Sequence, residues 1–295
     1  MIMKFEDLVK AAKDSRTPLH KVVSDWYMMN TGNDPKAAEE TAKKLVREML
    51  GSYHSRLDRP EKSLTGWVGD NDAKARSHVP EFLSPLVFSG VSIALSMSEH
   101  NASMGKIVAC PTAGACGVVP GALLSLHLNR SIDLDILGNA LLVSGAVGER
   151  IRRRASISGA MSGCQAEVGT ATAMASVAIV YATHPEDYSA LENAPALALK
   201  SLLGLVCDPV GGFVEIPCVK RNAFGVSIAF TAAELALAGI KSAIPFEEVA
   251  DSLGRVGRRL PEELKETARG GIAITPTAKK MVADFLGGER VDNNA

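Results

Sequence analysis

Aromatic residues are scarce in this chain of 295 residues, where Phe, Trp and Tyr together make up 5% of the sequence. Since 46% of the residues are hydrophobic, a sizeable core is still expected, and it must be built mainly from Ala, Val, Leu, Ile and Met. An excess of charge of either sign is also missing, because the net charge is −1. The composition therefore argues against nucleic acid or an anionic membrane surface as a partner.

Long apolar segments are missing as well. The longest uncharged helical run, Val168 to Thr183, is shorter than the roughly 18 residues of a membrane span and contains many Ala, Thr and Ser residues. The first residues, Met1-Ile-Met-Lys-Phe-Glu-Asp, do not have the apolar character of a secretory signal. We therefore expect a cytoplasmic protein, in which the odd number of five cysteines favours metal binding or catalysis over disulfide bonds.

Helical periodicity predominates along the chain, and the alternation typical of strands is scarce. Asp34 and Pro35 are expected to begin one helix, and Gly51 to end it. The polar residues 52–80 predict a loop-rich flap. Further helices are predicted at 82–98, 120–128, 135–154, 167–183, 194–205, 223–239, 245–258 and 261–269. The predicted fold is all-α, with an N-terminal helical segment and flap (1–80), a larger helical domain (81–286) and a disordered tail (287–295).

Three of the cysteines lie in segments of turn-forming residues. Cys164 lies in Ser-Gly-Cys-Gln-Ala-Glu, Cys207 begins Cys-Asp-Pro-Val-Gly-Gly, and Cys218 follows Ile-Pro. Gly and Pro place each sulfur on a turn or a helix end, where the three thiolates can converge on one pocket. Three thiolates can hold three irons of an iron–sulfur cluster and leave the fourth open to a substrate. Packing as small buried hydrophobic residues is the alternative, and it suits Cys110 and Cys116 better.

Two further segments are rich in small residues. Residues 109–121, Ala-Cys-Pro-Thr-Ala-Gly-Ala-Cys-Gly-Val-Val-Pro-Gly, predict a turn whose backbone amides and Thr112 hydroxyl bind a carboxylate. The segment lacks the Gly-Lys-Ser/Thr of a Walker loop and the Gly-x-Gly-x-x-Gly of a dinucleotide-binding fold. Tight helix packing explains such glycines equally well. Ser156 and Ser158 precede Cys164 by a few residues, so they are expected to line the same pocket.

Several motifs together resemble the alpha subunit of iron–sulfur-dependent L-serine dehydratase. They are Asn101-Ala-Ser-Met-Gly-Lys-Ile-Val-Ala, Pro111-Thr-Ala-Gly-Ala-Cys-Gly, Ala155-Ser-Ile-Ser-Gly-Ala, Gly163-Cys-Gln-Ala-Glu-Val-Gly, Cys207-Asp-Pro-Val-Gly-Gly, Ile216-Pro-Cys-Val-Lys-Arg-Asn and Gly270-Gly-Ile-Ala-Ile-Thr-Pro-Thr. The resemblance runs from about Leu83 to Thr277, with the same order of motifs and the same cysteine spacing. It implies a helical catalytic domain that converts L-serine to pyruvate and ammonia, with loops that converge on a [4Fe–4S] cluster.

The resemblance also implies which residues form the site. The cluster ligands are expected to be Cys164, Cys207 and Cys218, and the open iron to act as a Lewis acid on the substrate hydroxyl. Lys220 and Arg221, which follow the last ligand, are candidates for orienting the substrate, although such residues are more often surface charges. The catalytic base is not assigned. The residues expected to bind the substrate are Asn101, Thr112, Ala113, Gly114, Gly117, Ser156 and Ser158.

Two features of single-chain relatives are missing from this sequence, and their absence suggests a partner subunit. Single-chain relatives carry an N-terminal domain with a Ser-Ser-His-Thr motif, and some use a cysteine near the C-terminus as a removable fourth ligand. Neither occurs here, and the lone His78 is expected at the surface. We therefore expect an oligomer in which a beta subunit supplies the missing histidine.

Two departures from the family pattern leave the substrate open. Arg154 stands where the family usually has Asn, so an inward guanidinium would suit a more acidic hydroxy amino acid, and an outward one a solvated face or a partner contact. Trp67 and Val68 replace a Gly-rich turn. Two different site chemistries also stay open: a pyridoxal-phosphate dehydratase with Lys106 or Lys220 as its Schiff-base lysine, and a subunit with a structural metal such as zinc and no activity alone.

Overall fold

Residues 3–288 are described by a computed structural model, and within this range the chain forms α-helices and no β-strand. The all-α prediction is therefore confirmed. The helices are α1 (Phe5–Ser15), α2 (Leu19–Thr31), α3 (Pro35–Asp58), α4 (Asn71–Ser77), α5 (Pro85–Ala102), α6 (Val118–Arg130), α7 (Leu134–Arg154), α8 (Gly159–Ser162), α9 (Thr170–Thr183), α10 (Tyr188–Lys200), α11 (Cys218–Leu237), α12 (Phe246–Arg259) and α13 (Pro276–Gly288).

Local sequence accounts for where several helices begin. The Asp34 carboxylate accepts a hydrogen bond from the Lys36 amide at 3.0 Å, and Pro35 takes the first helical position, as predicted. Gly51 was expected to end α3, but the helix continues for two turns to Asp58. A single glycine inside a helix costs only about 1 kcal/mol, and the burial of Tyr53 beyond it offsets that cost.

Other boundaries differ from the sequence prediction. The predicted flap contains the short helix α4, and α9 begins only after a π-helical turn, Gln165–Gly169. The helix predicted at 261–269 is wrong, since only a 3-10 turn forms at Glu262–Leu264. Glu266 and Ala268 then adopt positive φ angles of 64° and 56°, which a right-handed helix cannot contain.

Helix α9 lies at the centre of the fold, with α6, α7, α10 and α11 packed around it. Every residue from Thr170 to Tyr181 is buried, and most are Ala, Ser or Thr, which let neighbouring helices approach closely. The segment Gln165–Thr183 is long and apolar enough for a membrane span, but 83% of that window is buried by the rest of the protein. This is the burial expected of a core helix.

The N-terminal helices share the same apolar core. Phe5 and Leu8 of α1 and Met49 of α3 are buried in one continuous cluster with residues of α7 and α9. The domain boundary predicted at residue 80 stays a prediction. Of the predicted tail 287–295, Gly287 and Gly288 end α13, and the remainder lies outside the described residues.

Candidate active site

The three cysteines singled out by the sequence come from three separate segments, and they lie near enough to one another to shift each other's pKa values. Cys164 precedes the π-helical turn, Cys207 lies in an irregular segment, and Cys218 is the first residue of α11. All three are buried. The pKa of the Cys207 thiol is raised by burial and also by the neighbouring Cys164 and Cys218. We call these three residues the thiol site.

Hydrogen bonds between the loops hold Cys164 and Cys207 in place. The Gln165 amide donates to the Leu205 carbonyl at 2.9 Å, and the Gln165 side-chain oxygen accepts from the Gly204 amide at 2.9 Å. The Cys207 amide donates to the Leu264 carbonyl at 2.9 Å, and its own carbonyl accepts from the Glu266 amide at 2.7 Å. The segment after α12 therefore supports the thiol site directly.

Asn222 connects Cys218 to the loop that carries Thr112. Its amide nitrogen donates to the Cys218 carbonyl at 3.0 Å and to the Gly114 carbonyl at 2.8 Å. Its oxygen accepts from the Gly117 amide at 2.9 Å. Asn222 is the last residue of one of the motifs in the sequence, and the sequence analysis assigns no role to it.

The surroundings of the thiol site favour protonated thiols. Burial is the main effect that raises the pKa of Cys164 to about 11 and of Cys218 to about 12. Arg221 acts in the opposite direction on both thiols, but its guanidinium also donates to the Val206 carbonyl at 2.9 Å. It lies 2.8 Å from an Asp208 carboxylate oxygen, an ion pair without hydrogen-bond geometry. A bound metal group would favour the thiolates.

A site for a single metal ion and a site for an iron–sulfur cluster require different distances between their ligands. Among residues 3–288, no three His, Cys, Asp or Glu side chains are close enough together to hold a single metal ion. A cluster binds each thiolate at a different corner, so it tolerates wider spacing than a zinc ion does. Three thiols are a donor set that can serve an iron–sulfur cluster, and a zinc ion with a fourth ligand is the alternative.

Four of the predicted substrate residues lie beside the thiol site or support it. Asn101 donates to the Ala113 carbonyl at 3.3 Å, and the Thr112 hydroxyl donates to Glu167 at 2.8 Å. The backbone amides of Ala113 and Gly114 donate no hydrogen bond within the described chain. Two neighbouring amide donors of the described chain are thus free in the loop that carries Thr112.

The backbone amide of Gly117, unlike those of Ala113 and Gly114, already has a hydrogen-bond partner. It donates to Asn222, so it is not free to bind a substrate carboxylate. A Cβ atom at this position would lie 2.5 Å from the Ala94 carbonyl oxygen, which only glycine avoids. Close packing against α5 accounts for Gly117, the explanation that the sequence left open.

Ser156 and Ser158 belong to a segment that reaches the site through Gly159. A Cβ atom on Gly159 would lie 3.0 Å from the Cys207 sulfur. The Ser156 hydroxyl accepts a hydrogen bond from the Ser158 amide at 3.0 Å and so shapes the turn before α8. Neither serine hydroxyl bonds to Thr112 or to the thiols among the described residues.

Glu167 is the site residue that the sequence analysis missed. Its carboxylate accepts from Thr112, and it acts to raise the pKa of all three cysteines of the thiol site. Burial, and secondarily the charge of Glu266, raise the pKa of Glu167 itself. Its spacing from Cys164, three residues along a helical turn, was the signal that could have identified it.

The same residues are matched by a known family. Residues 4–273 fit the family model of the serine dehydratase alpha chain. The chain belongs to this family. The match includes all three cysteines, the Thr112 loop and Glu167.

This member of the serine dehydratase alpha chain family is similar to curated relatives of about its own length and also to longer ones. A Bacillus subtilis protein named "Probable L-serine dehydratase, alpha chain" is 45% identical over 77% of this chain and 76% of its own length. The L-serine dehydratase alpha chain of Peptoniphilus asaccharolyticus is 44% identical over 72% of this chain and 70% of its own. The L-serine dehydratase of Helicobacter pylori strain J99 is 36% identical over 82% of this chain, but only 55% of that longer protein is covered.

The two departures from the family pattern have different surroundings. Arg154 forms ion pairs with Glu247 and Asp251 of α12, so its guanidinium is held against that helix, and the predicted partner contact stays a prediction. Trp67 packs edge-on against Phe213 and Phe285, in an aromatic group that joins the flap to α13. The case for a more acidic substrate, which rested on an inward Arg154, therefore loses its basis.

The lysines proposed for a pyridoxal-phosphate enzyme do not lie in this family's site. Lys106 is exposed and pairs with Glu48 of α3, and Lys220 is exposed at the start of α11. Neither is among the charges that shift the pKa of Glu167 or the thiols.

Histidine is missing from the site in the described chain. His78 is exposed and stacks edge-on with Phe88, as expected of a surface residue. His20 bonds to the Tyr181 hydroxyl at 2.7 Å and His127 to the Ile132 carbonyl at 2.8 Å. None of the six histidines is among the groups that shift the thiol pKa values.

Proposed function

We propose that this chain is the catalytic alpha subunit of a dehydratase that converts L-serine to pyruvate and ammonia. The observation that carries the proposal is the meeting of three buried thiols with free backbone amides and a carboxylate, in a chain of the serine dehydratase alpha chain family. The relatives named alpha chain, and those named L-serine dehydratase, support the choice of substrate.

A [4Fe–4S] cluster held by Cys164, Cys207 and Cys218 is part of this proposal. When bound, such a cluster supplies an open iron as the Lewis acid that assists departure of the substrate hydroxyl. Elimination of water from L-serine gives aminoacrylate, which takes up water again and releases ammonia to give pyruvate. The three cysteines are buried, which keeps bulk water away from the groups that would hold the cluster.

The chain's own residues would bind and orient the substrate. The free amides of Ala113 and Gly114 can donate hydrogen bonds to its carboxylate, with Asn101 holding the Ala113 carbonyl in position. Ser156 and Ser158 precede Gly159, which packs against Cys207 and Glu167, and both serines are proposed to line the same pocket. Removal of the α-proton requires a base that the described residues do not identify.

A beta subunit is the proposed source of that base. The described chain has no histidine at the site, and the longer Helicobacter relative contains a further part that this chain does not match. The relatives named alpha chain support a two-subunit enzyme, which we expect in the cytoplasm. A structural metal site without activity alone is the remaining alternative.

Anaerobic reconstitution tests the proposal. The chain, with and without its partner, is loaded with iron and sulfide and assayed with L-serine and other hydroxy amino acids. We expect about four irons and four acid-labile sulfides per chain, pyruvate formation, and loss of activity in air that ferrous iron and a thiol reverse. Zinc without sulfide, or no turnover with the partner present, would overturn it.

Substituting single cysteines tests the ligands. Changing Cys164, Cys207 or Cys218 to Ala should abolish both the sulfide content and pyruvate formation. Cys116→Ala is the matched control, because Cys116 is equally buried but bonds weakly to the Met97 carbonyl at 3.7 Å. It should lose about 1 kcal/mol of stability and keep its cluster. A full complement of iron and sulfide in any of the three ligand variants would contradict the assignment.

A further inference from the structure

We propose that Glu167 binds the α-ammonium group of the substrate and so selects amino acids over hydroxy acids that lack this group. The inference rests on the proposed function and adds a specificity-determining residue to it. Glu167 contacts Thr112, and its carboxylate faces the same space as the thiol site and the free amides.

The position of Glu167 matches the geometry of an α-amino acid. The ammonium and carboxylate groups of the substrate are attached to one carbon atom, so their binding groups must be neighbours. A Cβ atom on Gly114, whose amide is free, would lie 3.1 Å from both carboxylate oxygens of Glu167. A substrate carboxylate on that amide therefore places its ammonium within reach of Glu167.

The surroundings of Glu167 favour the binding of a cation. Within residues 3–288, no Lys, Arg or His forms an ion pair with Glu167, and Glu266 adds a second negative charge nearby. Arg221, the cation beside the thiols, is engaged by Asp208 and by the Val206 carbonyl. A half-buried carboxylate without a counter-ion is unfavourable, and a substrate ammonium would supply the missing charge.

Two glycines allow the Glu167 carboxylate to lie close to the backbone of neighbouring segments. A Cβ atom on Gly159 would lie 2.8 Å from the second carboxylate oxygen of Glu167, and one on Gly114 would lie 3.1 Å from it. The Thr112 hydroxyl occupies only the first oxygen, at 2.8 Å. The second oxygen accepts no hydrogen bond in the described chain, so it can accept one from the substrate.

The test uses Glu167→Gln in the reconstituted enzyme with its partner. Gln keeps the acceptor for Thr112 but removes the charge. We expect KM for L-serine, and its dissociation constant by calorimetry, to rise about 10- to 100-fold, the usual effect of losing a hydrogen bond between charged groups. Binding of 3-hydroxypropanoate, which lacks the ammonium, should stay the same or become tighter. Iron and sulfide content should not change.

Glu262→Gln is the matched control, because Glu262 is exposed in the segment after α12 and pairs only with Arg269. It should leave both ligands' affinities unchanged. A fall in kcat with KM unchanged would make Glu167 the base, and a loss of iron and sulfide would make it a cluster ligand; either result overturns the inference.

The wild-type enzyme provides a measurement that does not depend on the variant's folding. Reconstituted protein should bind L-serine at least about 10-fold more tightly than 3-hydroxypropanoate. Equal affinities would overturn the role of Glu167 even if pyruvate forms. Tight, selective binding of L-serine without any turnover would instead overturn the proposed function and leave the recognition role supported.

Discussion

At the residue scale, Arg154 explains how a departure from the family pattern is accommodated. Arg150, Arg153 and Arg154 share one face of α7, where like charges repel. Arg150 is buried against Glu247, and Arg154 contacts the same carboxylate and also Asp251 at 2.8 Å. The repulsion is therefore offset within the chain by acidic residues of α12, without a partner or a bound anion.

Arg154→Asn should lower stability without changing the substrate. The variant loses two ion pairs of a side chain that is 24% exposed, so we expect a loss of about 1–2 kcal/mol in the free energy of unfolding, measured in urea. Arg152→Asn is the control, since Arg152 is exposed and pairs only with Glu149; it should lose less than about 0.5 kcal/mol. A changed substrate preference with unchanged stability would show instead that Arg154 acts at the substrate pocket.

At the scale of helices, α12 supports the thiol site by close contact with α8. A Cβ atom on Gly257 would lie 2.6 Å from the Ser162 Cβ atom and 3.0 Å from its Cα atom. Gln165, next to Cys164, also donates to the Leu253 carbonyl at 3.4 Å. The distance between α12 and α8 therefore sets where the Cys164 segment lies.

Gly257→Ala should move the two helices apart. We expect a loss of about 1–3 kcal/mol in stability and a smaller amount of iron and sulfide retained after reconstitution. Gly51→Ala in α3 is the matched control, because nothing lies within 4 Å of its Cβ position; it should gain up to about 1 kcal/mol. Full cluster retention in Gly257→Ala would contradict this role of α12.

The loop before α4 is attached to the segment that carries Cys218. Glu215, which is buried, accepts hydrogen bonds from the Ser63 hydroxyl at 2.5 Å and the Thr65 hydroxyl at 2.6 Å. Leu64 also donates to the Ala102 carbonyl at 3.2 Å. The loop is therefore held close to the thiol site by the Glu215 side chain, 150 residues from Thr65 in the sequence.

Glu215→Ala should release this loop. Without its acceptor the loop opens more often, so trypsin should cleave after the exposed Lys62 at least about 10-fold faster than in the wild type. Glu234→Ala, a change of an exposed glutamate on α11, should leave the cleavage rate unchanged. Equal rates in both variants would show that Glu215 does not hold the loop.

At the scale of the whole molecule, buried ion pairs make stability depend on pH. Burial alone would raise the pKa of Glu247, but hydrogen bonds from Arg150 and the Phe5 amide outweigh it, and the pKa lies below its ordinary value of 4.5. Burial of Asp72 is likewise outweighed by Arg56, which lowers that pKa below 3.8. As the pH falls, the unfolded chain therefore takes up protons before the folded chain does.

The stability that these carboxylates contribute should be complete above about pH 5 and be lost as the pH falls through their lowered folded pKa values. Urea unfolding between pH 7 and pH 3 measures it. Glu247→Gln should be less stable at pH 7 and show a shallower decline in acid, whereas Glu248→Gln, at an exposed position, should follow the wild type. The same decline in Glu247→Gln would exclude Glu247 as a source of the acid dependence.

The sequence by itself determined the all-α fold and the family, and it identified the three cysteines. Each depends on local information: helical period, capping residues such as Asp34, and turn residues beside each sulfur. The prediction from sequence failed where tertiary packing outweighed the local helix preference. Helix α3 continues past Gly51 because Tyr53 beyond it is buried. The positive φ angle of Glu266 is incompatible with the helix predicted there.

Only the tertiary structure decided which side chains meet at the site. Thr112 and Glu167 are 55 residues apart and Gly117 and Asn222 are 105 apart, so no periodic pattern links them. The packing of α9 and α11 brings their loops together. In the part of the chain that the structure describes, this contact pairs the Gly117 amide with Asn222 and places no cation beside Glu167. Hydrogen bonds and charges act through space, so their partners follow from the packing of the helices and not from the spacing of residues in the sequence.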